Sequence, residues 1–600
     1  MSDTFSLDEL HPLTRTLLEK RGIVGEEAVK DFLFPSYEKH IGDPFQIHGI
    51  PVAVDRIVDA MKKGEKIAVY SDYDCDGVPG GVLLRTFFDE IGYPVEMYIP
   101  HRHNEGYGVH NHAIDTLKEK GVTLIITIDS GITNIEEVAY GKSVGVDFIV
   151  TDHHLPITKE MSEDRQQKTD KSKKQKLITV QIVPDAIAVI NSKQDACTYD
   201  DDMLCGCAVA WKLSCAILST LRVAKIAQES FQGNSNQVSD VSNTAQYKKV
   251  LETVKTFPVG WEKWMLDLVA ISTIADMVPL QKENRALAHF GLKVLRKTKR
   301  PGLLHIFNEQ RVRKEFLVED DIAFTIAPRI NAASRMGDPI QAHMMLYEKD
   351  VNAAEGYARD LEDLNTERKL GVKDIVSSLV FDHEVYKNNV IVVGDKTWGP
   401  GILGLIAQNI IDETRKPVFV WGFGSSQSTA EGIDSSNSDE AILKGSCRSK
   451  GDVSVVDLMA HVGKVSDGGI LEGYGGHEQA GGFSISEEKL GELSDALNEA
   501  MNHVKKIEIG SQEVKADTEI TIDDINEVTY KAIEILSPFG VGNPKPIFEL
   551  RNVTPLSTKW FGKKSEHFEV IYPTSRGGKI KAIQFFSAKD IEEKTFCFHR

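Results

Sequence analysis

A short apolar run, Ile67-Ala-Val-Tyr70, empties into Asp72-x-Asp74-x-Asp76-Gly77, and no other stretch constrains the fold as much. Three carboxylates at every second position repel one another, and such crowding is normally tolerated beside a compensating cation, with hard oxygen ligands suiting Mg²⁺ or Mn²⁺. Taken alone, the segment fits either a metal site or an acidic surface turn. Two further runs end the same way: Leu124 to Ile128 stops at Asp129-Ser130-Gly131, and Phe148 to Thr151 stops at Asp152-His153-His154. Each run is short, β-branched and bounded by a turn signal, whereas Gly80 to Gly92 and His112 to Gly121 carry helical spacing. The pattern is β-α-β-α-β, which predicts a parallel sheet. Ligands collect beyond the carboxyl ends of such strands, so the three polar clusters are expected to converge although they lie far apart in sequence.

Length and charge narrow the function. Six hundred residues exceed what one core supports, so roughly three or four domains are expected. The net charge of −19, from 70 basic and 89 acidic residues, argues against a non-specific nucleic-acid coat. It leaves room for a metal-filled cleft with a few placed arginines. Seven scattered cysteines point to reduced thiols, and Cys205-x-Cys207 is too close for a zinc pair. No apolar run approaches the ~20 residues of a membrane span, and Met1 to Leu18 lacks a signal-peptide core. A cytoplasmic protein without a membrane partner is expected.

Along the chain, residues 1–50 read as short helices packed on the first sheet. The loop Pro100 to Gly108 follows a second strand, Val95 to Ile99; its histidines are solvated or metal-binding, and Arg102 is a phosphate contact. Lys159 to Lys176 is a polar insertion, either a solvated loop or a DNA contact through its basic end, and Gln228 to Gln246 is a polar loop. Trp264 to Ala275 reads as a buried helix bearing Asp267, whose charge within an apolar run needs a partner; a metal ion is expected. Ala353 to Leu379 is a long connector helix. A second α/β unit begins at Val390 and contains a Ser/Gly-rich loop, Gly422 to Asp439; short strands follow from Glu513.

The Asp72 to Gly77 cluster, Asp129 and Asp152-His153-His154 together resemble the DHH phosphoesterase superfamily. Leu266 to Leu280, Ala327-Pro-Arg329-Ile-Asn331-Ala-Ala-Ser-Arg335-Met-Gly337, Gly475-Gly476-His477 and Pro538-Phe-Gly540-Val-Gly542-Asn543-Pro544 extend the similarity to its RecJ family of single-strand-specific 5′ to 3′ DNA exonucleases. The resemblance implies a two-lobed α/β fold: a helical lead-in (1–50), a parallel-sheet DHH domain (51–340), a connector helix (341–385), a DHH-associated substrate-binding domain (386–510) and a small OB-like β domain (511–600). An OB barrel needs five strands, and Pro546 to Arg600 offers about four, so the barrel is incomplete or takes a strand from earlier in the chain.

The resemblance also implies roles. Two divalent ions, Mn²⁺ or Mg²⁺, would be held by Asp72, Asp74, Asp76, Asp129, His153 and Asp267, with Asp129 or Asp76 bridging. Asp129, His153 and His154 would be catalytic, His154 stabilising the transition state or protonating the leaving oxygen. Arg102, Asn331, Arg335, Ser446, Arg448 and His477 would bind single-stranded DNA, with Ser446 and Arg448 at its 5′-phosphate. A single-strand-binding protein or a helicase would be the protein partner. The chain departs from the family pattern at Tyr70 and Gly399, each in place of a usual His, and at Pro79-Gly80 in place of hydroxyl residues. Other readings are a DHH phosphodiesterase for short oligonucleotides or cyclic dinucleotides, a manganese-dependent pyrophosphatase, and a non-catalytic replication scaffold.

Overall fold

The computed structural model describes residues 6–162, 177–232, 244–381, 383–423, 442–505, 515–562, 565 and 567–585. The first sheet has strands β1 (Lys66–Ser71), β2 (Glu96–Tyr98), β3 (Val122–Ile128), β4 (Asp147–Thr151) and β5 (Ala188–Ile190), in the order β2-β1-β3-β4-β5 and parallel throughout. Parallel strands covered on both faces read as continuous apolar runs, and both faces are covered here. Ala68, Tyr70, Ile125 and Val150 join one core with the helices Asn111–Glu119 and Ile135–Ser143. Helices α1 (Gly77–Glu90) and α2 (Gly206–Gln232) pack on the sheet as well.

Length and composition alone would let α2 cross a membrane, but 67% of its most apolar window is buried inside the protein. Its buried Lys212 donates to the Gly42 carbonyl at 2.6 Å. The helix runs through Gln232, where a polar loop was expected from Gln228, and a further helix starts at Ala245. Lys159 to Ser162, expected to belong to a polar insertion, instead lie in a strand paired antiparallel with Leu177–Ile182. The rest of that insertion and most of the Gly422 to Asp439 loop lie outside the described residues.

Helix α3 (Leu266–Ala275) is buried along nearly its whole length, and α4 (Ala327–Met336) follows a π-helical turn, Ile322–Ile326. The connector α5 (Val351–Ser378) spans 28 residues, or about 42 Å at 1.5 Å per residue. Its first half buries Ala354, Ala358 and Leu361. Its second half packs Val372 and Ile375 against Ile402, Ile406 and Ile410 of α6 (Pro400–Thr414) in the second lobe. That lobe is built on β6 (Ile391–Asp395), β7 (Val418–Phe423), β8 (Ile442–Arg448), β9 (Leu471–His477) and β10 (Ala480–Ser486), in the order β9-β10-β8-β7-β6. Only the β6–β7 pair is parallel.

All of these elements belong to one compact unit, Gly42–Val278 with Phe290–Gly510. A second unit joins Met1–Ile41, Pro279–His289 and Ser511–Arg600, so the opening helices are grouped with the C-terminal segment and not, as expected, with the first sheet. The physical reason is an apolar core of Leu17, Leu18, Val29, Leu33 and Leu536. Arg285 strengthens it by donating to the carbonyls of Phe32, Leu536 and Pro538. The C-terminal part has a three-stranded antiparallel sheet, Ser557–Phe561, His567–Pro573 and Lys579–Gln584, and a parallel pair, Thr518–Glu519 with Phe548–Glu549. A strand is thus supplied from before Pro546.

Two glycines give opposite expectations. A Cβ on Gly206 would stand 2.7 Å from Cβ of Asp129, whereas one on Gly356, inside α5, meets nothing within 4 Å. Gly206→Ala should lower stability by ~1–3 kcal/mol through overpacking, and Gly356→Ala should raise it by ~0.5–1 kcal/mol through helix propensity. Urea unfolding of the full chain checks both.

Candidate metal centre and arginine cleft

Each of the three main strands hands its ladder one residue further than the strand itself. The Asp72 amide donates to Ile128 (3.1 Å), the Asp129 amide to Thr151 (3.0 Å) and the Asp152 amide to Ile190 (3.0 Å). The first acidic residue after each strand is thereby fixed in register with its neighbour. Asp129 sits at φ 58°, a left-handed conformation that costs a non-glycine residue about 1–2 kcal/mol. Asp74 Oδ1 accepts from the amides of Asp76 (2.8 Å) and Gly77 (3.1 Å), which opens α1. Gly77 is required there, because a Cβ would stand 2.5 Å from the Asp72 carbonyl oxygen. Asp76 accepts from the first amides of α2, Gly206 (2.6 Å) and Cys207 (2.8 Å).

These contacts gather ligand atoms of Asp72, Asp74 and Asp129 within 4.8 Å of one another, and likewise those of Asp76, His153 and Asp276, and of Asp129, His153 and His154. Nε2 of His153 lies 3.1 Å from Asp129, 3.6 Å from Asp76 and 3.7 Å from Asp276. Burial and neighbouring carboxylates push Asp72 and Asp129 well above the usual carboxylate range. Burial, with Asp74, lifts Asp76 to about 6, and burial, with Asp76 and Asp74, lifts Asp276 to about 8. Burial and the adjacent His154 lower His153 to about 4. For His154, burial is outweighed by the hydrogen bond to Asp152, which raises it to about 9. Asp72 Oδ1, Asp129 Oδ1 and His153 Nδ1 are buried without a hydrogen-bond partner among the described residues. Orphaned hard oxygens beside a neutral imidazole fit a divalent cation such as Mn²⁺ or Mg²⁺.

Asp267, expected as a ligand, is not among these groups. Its carboxylate accepts from Arg300 Nε at 2.9 Å and from the Thr298 hydroxyl at 3.4 Å, so the partner its burial demands is a guanidinium and not a metal. Asp276, the residue that caps α3, reaches the cluster instead. It was overlooked because it follows the apolar run, although a carboxylate at the carboxyl end of a buried helix was a readable signal. Asp152 accepts from the amides of Ile132, His153 and His154 and bonds His154 Nδ1 at 2.8 Å. Tyr107, also missed, places its hydroxyl 3.1 Å from His154 Nδ1 and donates to the Asp129 carbonyl. Tyr70 points its hydroxyl at the Gly108 carbonyl, 2.9 Å away, and stacks on Tyr98.

The expected substrate residues divide. Asn331 Oδ1 accepts from the Cys75 amide at 3.0 Å and so positions the acidic loop. Arg102 lies over the Tyr73 ring. Burial, with Arg102, Arg368 and Arg448 close by, depresses Arg335 to about 10, while Asp74 acts in the opposite sense. Arg335 is thus within electrostatic reach of Asp74 and of arginines from the first lobe, the connector and the second lobe. Arg335 Nη1 donates to the Gly401 carbonyl (3.3 Å), and His103 Nε2 lies 2.9 Å from the Arg335 carbonyl. In the second lobe, Arg448 Nη1 bonds Ser446 Oγ (3.2 Å) and the Cys447 carbonyl (2.8 Å). The exposed His477 shares a cross-strand row with Arg448 through Ala480.

The raised groups set a pH dependence. Unfolded, an aspartate titrates near 4 and a histidine near 6.5. A group whose folded pKa is raised contributes stability that is lost as pH climbs through the folded value. Asp276, at about 8, loses its contribution between roughly pH 4 and 8 and His154, at about 9, between roughly pH 6.5 and 9, so the two losses coincide in the window from roughly pH 6.5 to 8. With EDTA present, the thermal midpoint should fall across this window, and more steeply for the wild type than for Asp276→Asn; scanning calorimetry at several pH values checks it.

Three family models match the chain: the DHH family N-terminal domain over residues 66–233, the DHHA1 domain over 387–503 and the RecJ OB domain over 516–598. The single-stranded-DNA-specific exonuclease RecJ of Bacillus subtilis is 30% identical over 569 residues, covering 94% of this chain and 62% of that protein. The chain therefore spans less than two thirds of that relative. The Haemophilus influenzae exonuclease of the same name is 27% identical, covering 96% of this chain and 89% of its own length. A crystal structure of exonuclease RecJ bound to manganese aligns with a TM-score of 0.56 at 27% identity, over 76% of this chain and 95% of that one. RecJ in complex with Mn²⁺ from Thermus thermophilus aligns at 0.68 and 23% identity, over 97% and 74%, a likeness of fold. With a DHH domain, a DHHA1 domain and a RecJ OB domain in this order, and relatives of one name matched along almost its whole length, the chain is similar to RecJ from its first sheet to its C-terminal segment.

Proposed function

We propose that the protein is a metal-dependent exonuclease that releases nucleotides from the 5′ end of single-stranded DNA, with a DHH domain, a connector helix, a DHH-associated domain and an OB-like domain in that order. The observation that carries this reading is the cluster of carboxylates and imidazole with Arg335 within electrostatic reach of it and of arginines from both lobes and the connector. Asp72, Asp74, Asp76, Asp129, His153 and Asp276 would hold two divalent cations, Mn²⁺ or Mg²⁺. When bound, such ions neutralise the scissile phosphate and supply a hydroxide near neutral pH. Asp152 fixes His154 through Nδ1, which leaves Nε2 to hold a proton against a phosphate oxygen or to pass it to the leaving group. Arg102 and Arg335 would clamp the backbone, and Ser446, Arg448 and His477 would take the 5′-terminal phosphate. Backbone contacts drawn from two lobes would favour one flexible strand over a duplex. A single-strand-binding protein or a helicase would present that strand, in the cytoplasm.

Asp129→Ala and His153→Ala should abolish hydrolysis in a folded protein. Asp276→Asn should cut it at least 100-fold and weaken Mn²⁺ binding. Asp267→Asn should leave Mn²⁺ binding intact while costing ~3–5 kcal/mol of stability, because it strands the Arg300 charge. Titration calorimetry and unfolding curves separate the two aspartates. Arg448→Ala should erode the preference for 5′-phosphorylated over unphosphorylated ends, and equal losses on both substrates would remove the terminal-phosphate pocket. With strands labelled at either end, products should shorten from the 5′ end and blunt duplex should resist; shortening from the 3′ end would reverse the proposed polarity.

A further inference from the structure

In a chain of net charge −19, residues 290–316 hold eight Lys/Arg against two Asp/Glu. The structure turns this stretch into one surface. Helix Lys282–Leu295 ends in the turn that carries Lys297 and Lys299, and a second turn carries Arg311 and Arg313. The Arg296 guanidinium ties the two turns together by donating to the Leu317 carbonyl at 2.9 Å. Lys293, Lys297, Lys299, Arg311 and Arg313 are exposed, and none of them forms a salt bridge among the described residues. Only Arg300 is neutralised, against Asp267 behind the turn. Burial, with Arg296 and Lys297 nearby, lowers Lys293, as expected where like charges are held together. An aromatic element accompanies them: Phe316 is 64% exposed, with the Arg313 guanidinium 4.4 Å from its ring centre.

We propose that this surface is a second track for the phosphate backbone of DNA, outside the metal cleft, with Phe316 and Arg313 offering a face on which a base stacks. The proposal rests on the exonuclease reading for its choice of polyanion. Unpaired cations are the complement of a nucleic-acid backbone, which the acidic remainder of this chain's surface repels. The track is held at a distance from the cluster by α3. Asp267 at its start pairs with Arg300 of the basic turn and Asp276 at its end reaches His153, nine residues or about 14 Å away. Strands long enough to reach both places would gain affinity, whereas short ones would meet the cleft alone.

The test is the variant Lys297→Gln/Lys299→Gln/Arg311→Gln/Arg313→Gln in the full chain. Binding of a 60-nucleotide and a 6-nucleotide single strand is read by fluorescence anisotropy in EDTA over a range of salt, and hydrolysis of the short strand is read with Mn²⁺. The track predicts at least about tenfold weaker binding of the long strand, a salt slope shallower by up to roughly 3, and short-strand binding and hydrolysis within about twofold of wild type. Unchanged long-strand affinity and salt slope would overturn it and assign the surface to an acidic protein partner. Equal losses on both strands would overturn it too, as damage to the cleft or fold. A wild type that binds through the patch but cleaves neither strand would sink the exonuclease reading and leave the track standing.

Discussion

Repulsion among buried carboxylates is the constraint on which this structure turns. At the 4.8 Å limit within which Asp72, Asp74 and Asp129 gather, each pair of ionised groups costs about 3.5 kcal/mol at an effective dielectric of 20. Three such pairs approach the ~5–15 kcal/mol that holds an ordinary domain together. The cluster exists because something rigid forces it and something positive relieves it. The rigid part is the parallel sheet, whose ladder continues one residue past each strand and fixes Asp72, Asp129 and Asp152 in register. The relief comes partly from the α2 amides on Asp76 and partly from protons, as the raised carboxyl groups record. A bound cation would supply the remainder.

The two histidines of one triplet diverge for the same reason. His153 is buried facing the carboxylates and is held neutral, a state fit to donate a lone pair. His154 is tethered by Asp152, whose carboxylate is filled with hydrogen bonds, and is held charged. Adjacent residues of one kind are thus held in opposite protonation states, His153 by burial beside the charged His154 and His154 by its bond to Asp152. Arg335, Arg368 and Arg448 repeat this logic with the sign reversed: each is partly desolvated, and Arg335 is within electrostatic reach of the other two. Such an array is poised for a polyanion.

Much of this was legible in the sequence because the first sheet announces itself locally. Apolar β-branched runs, each ending at acidic or histidine residues, specify both the strands and the edge where side chains meet. The long connector was equally plain in its helical spacing. What could not be read depended on partners remote in sequence. Leu17 and Leu18 find Leu536 across more than five hundred positions, and no local period reports that. Asp267 misled because an apolar helix with one carboxylate demands a counter-charge without saying which; Arg300 lies thirty-three residues away. Asp276 was hidden by its place just outside the periodic segment.

The connector helix carries one more consequence. It is packed by Ala354, Ala358 and Leu361 at one end and by Val372 and Ile375 at the other, with no break between. Adding or deleting one residue within it would turn everything downstream by about 100° and shift it by about 1.5 Å. The smallest insertion that restores the facing is near seven residues, which would move the second lobe by about 10 Å. The length of α5 is therefore quantised. Homologous chains that share both lobes are free to vary their loops at will, but this helix should keep its residue count.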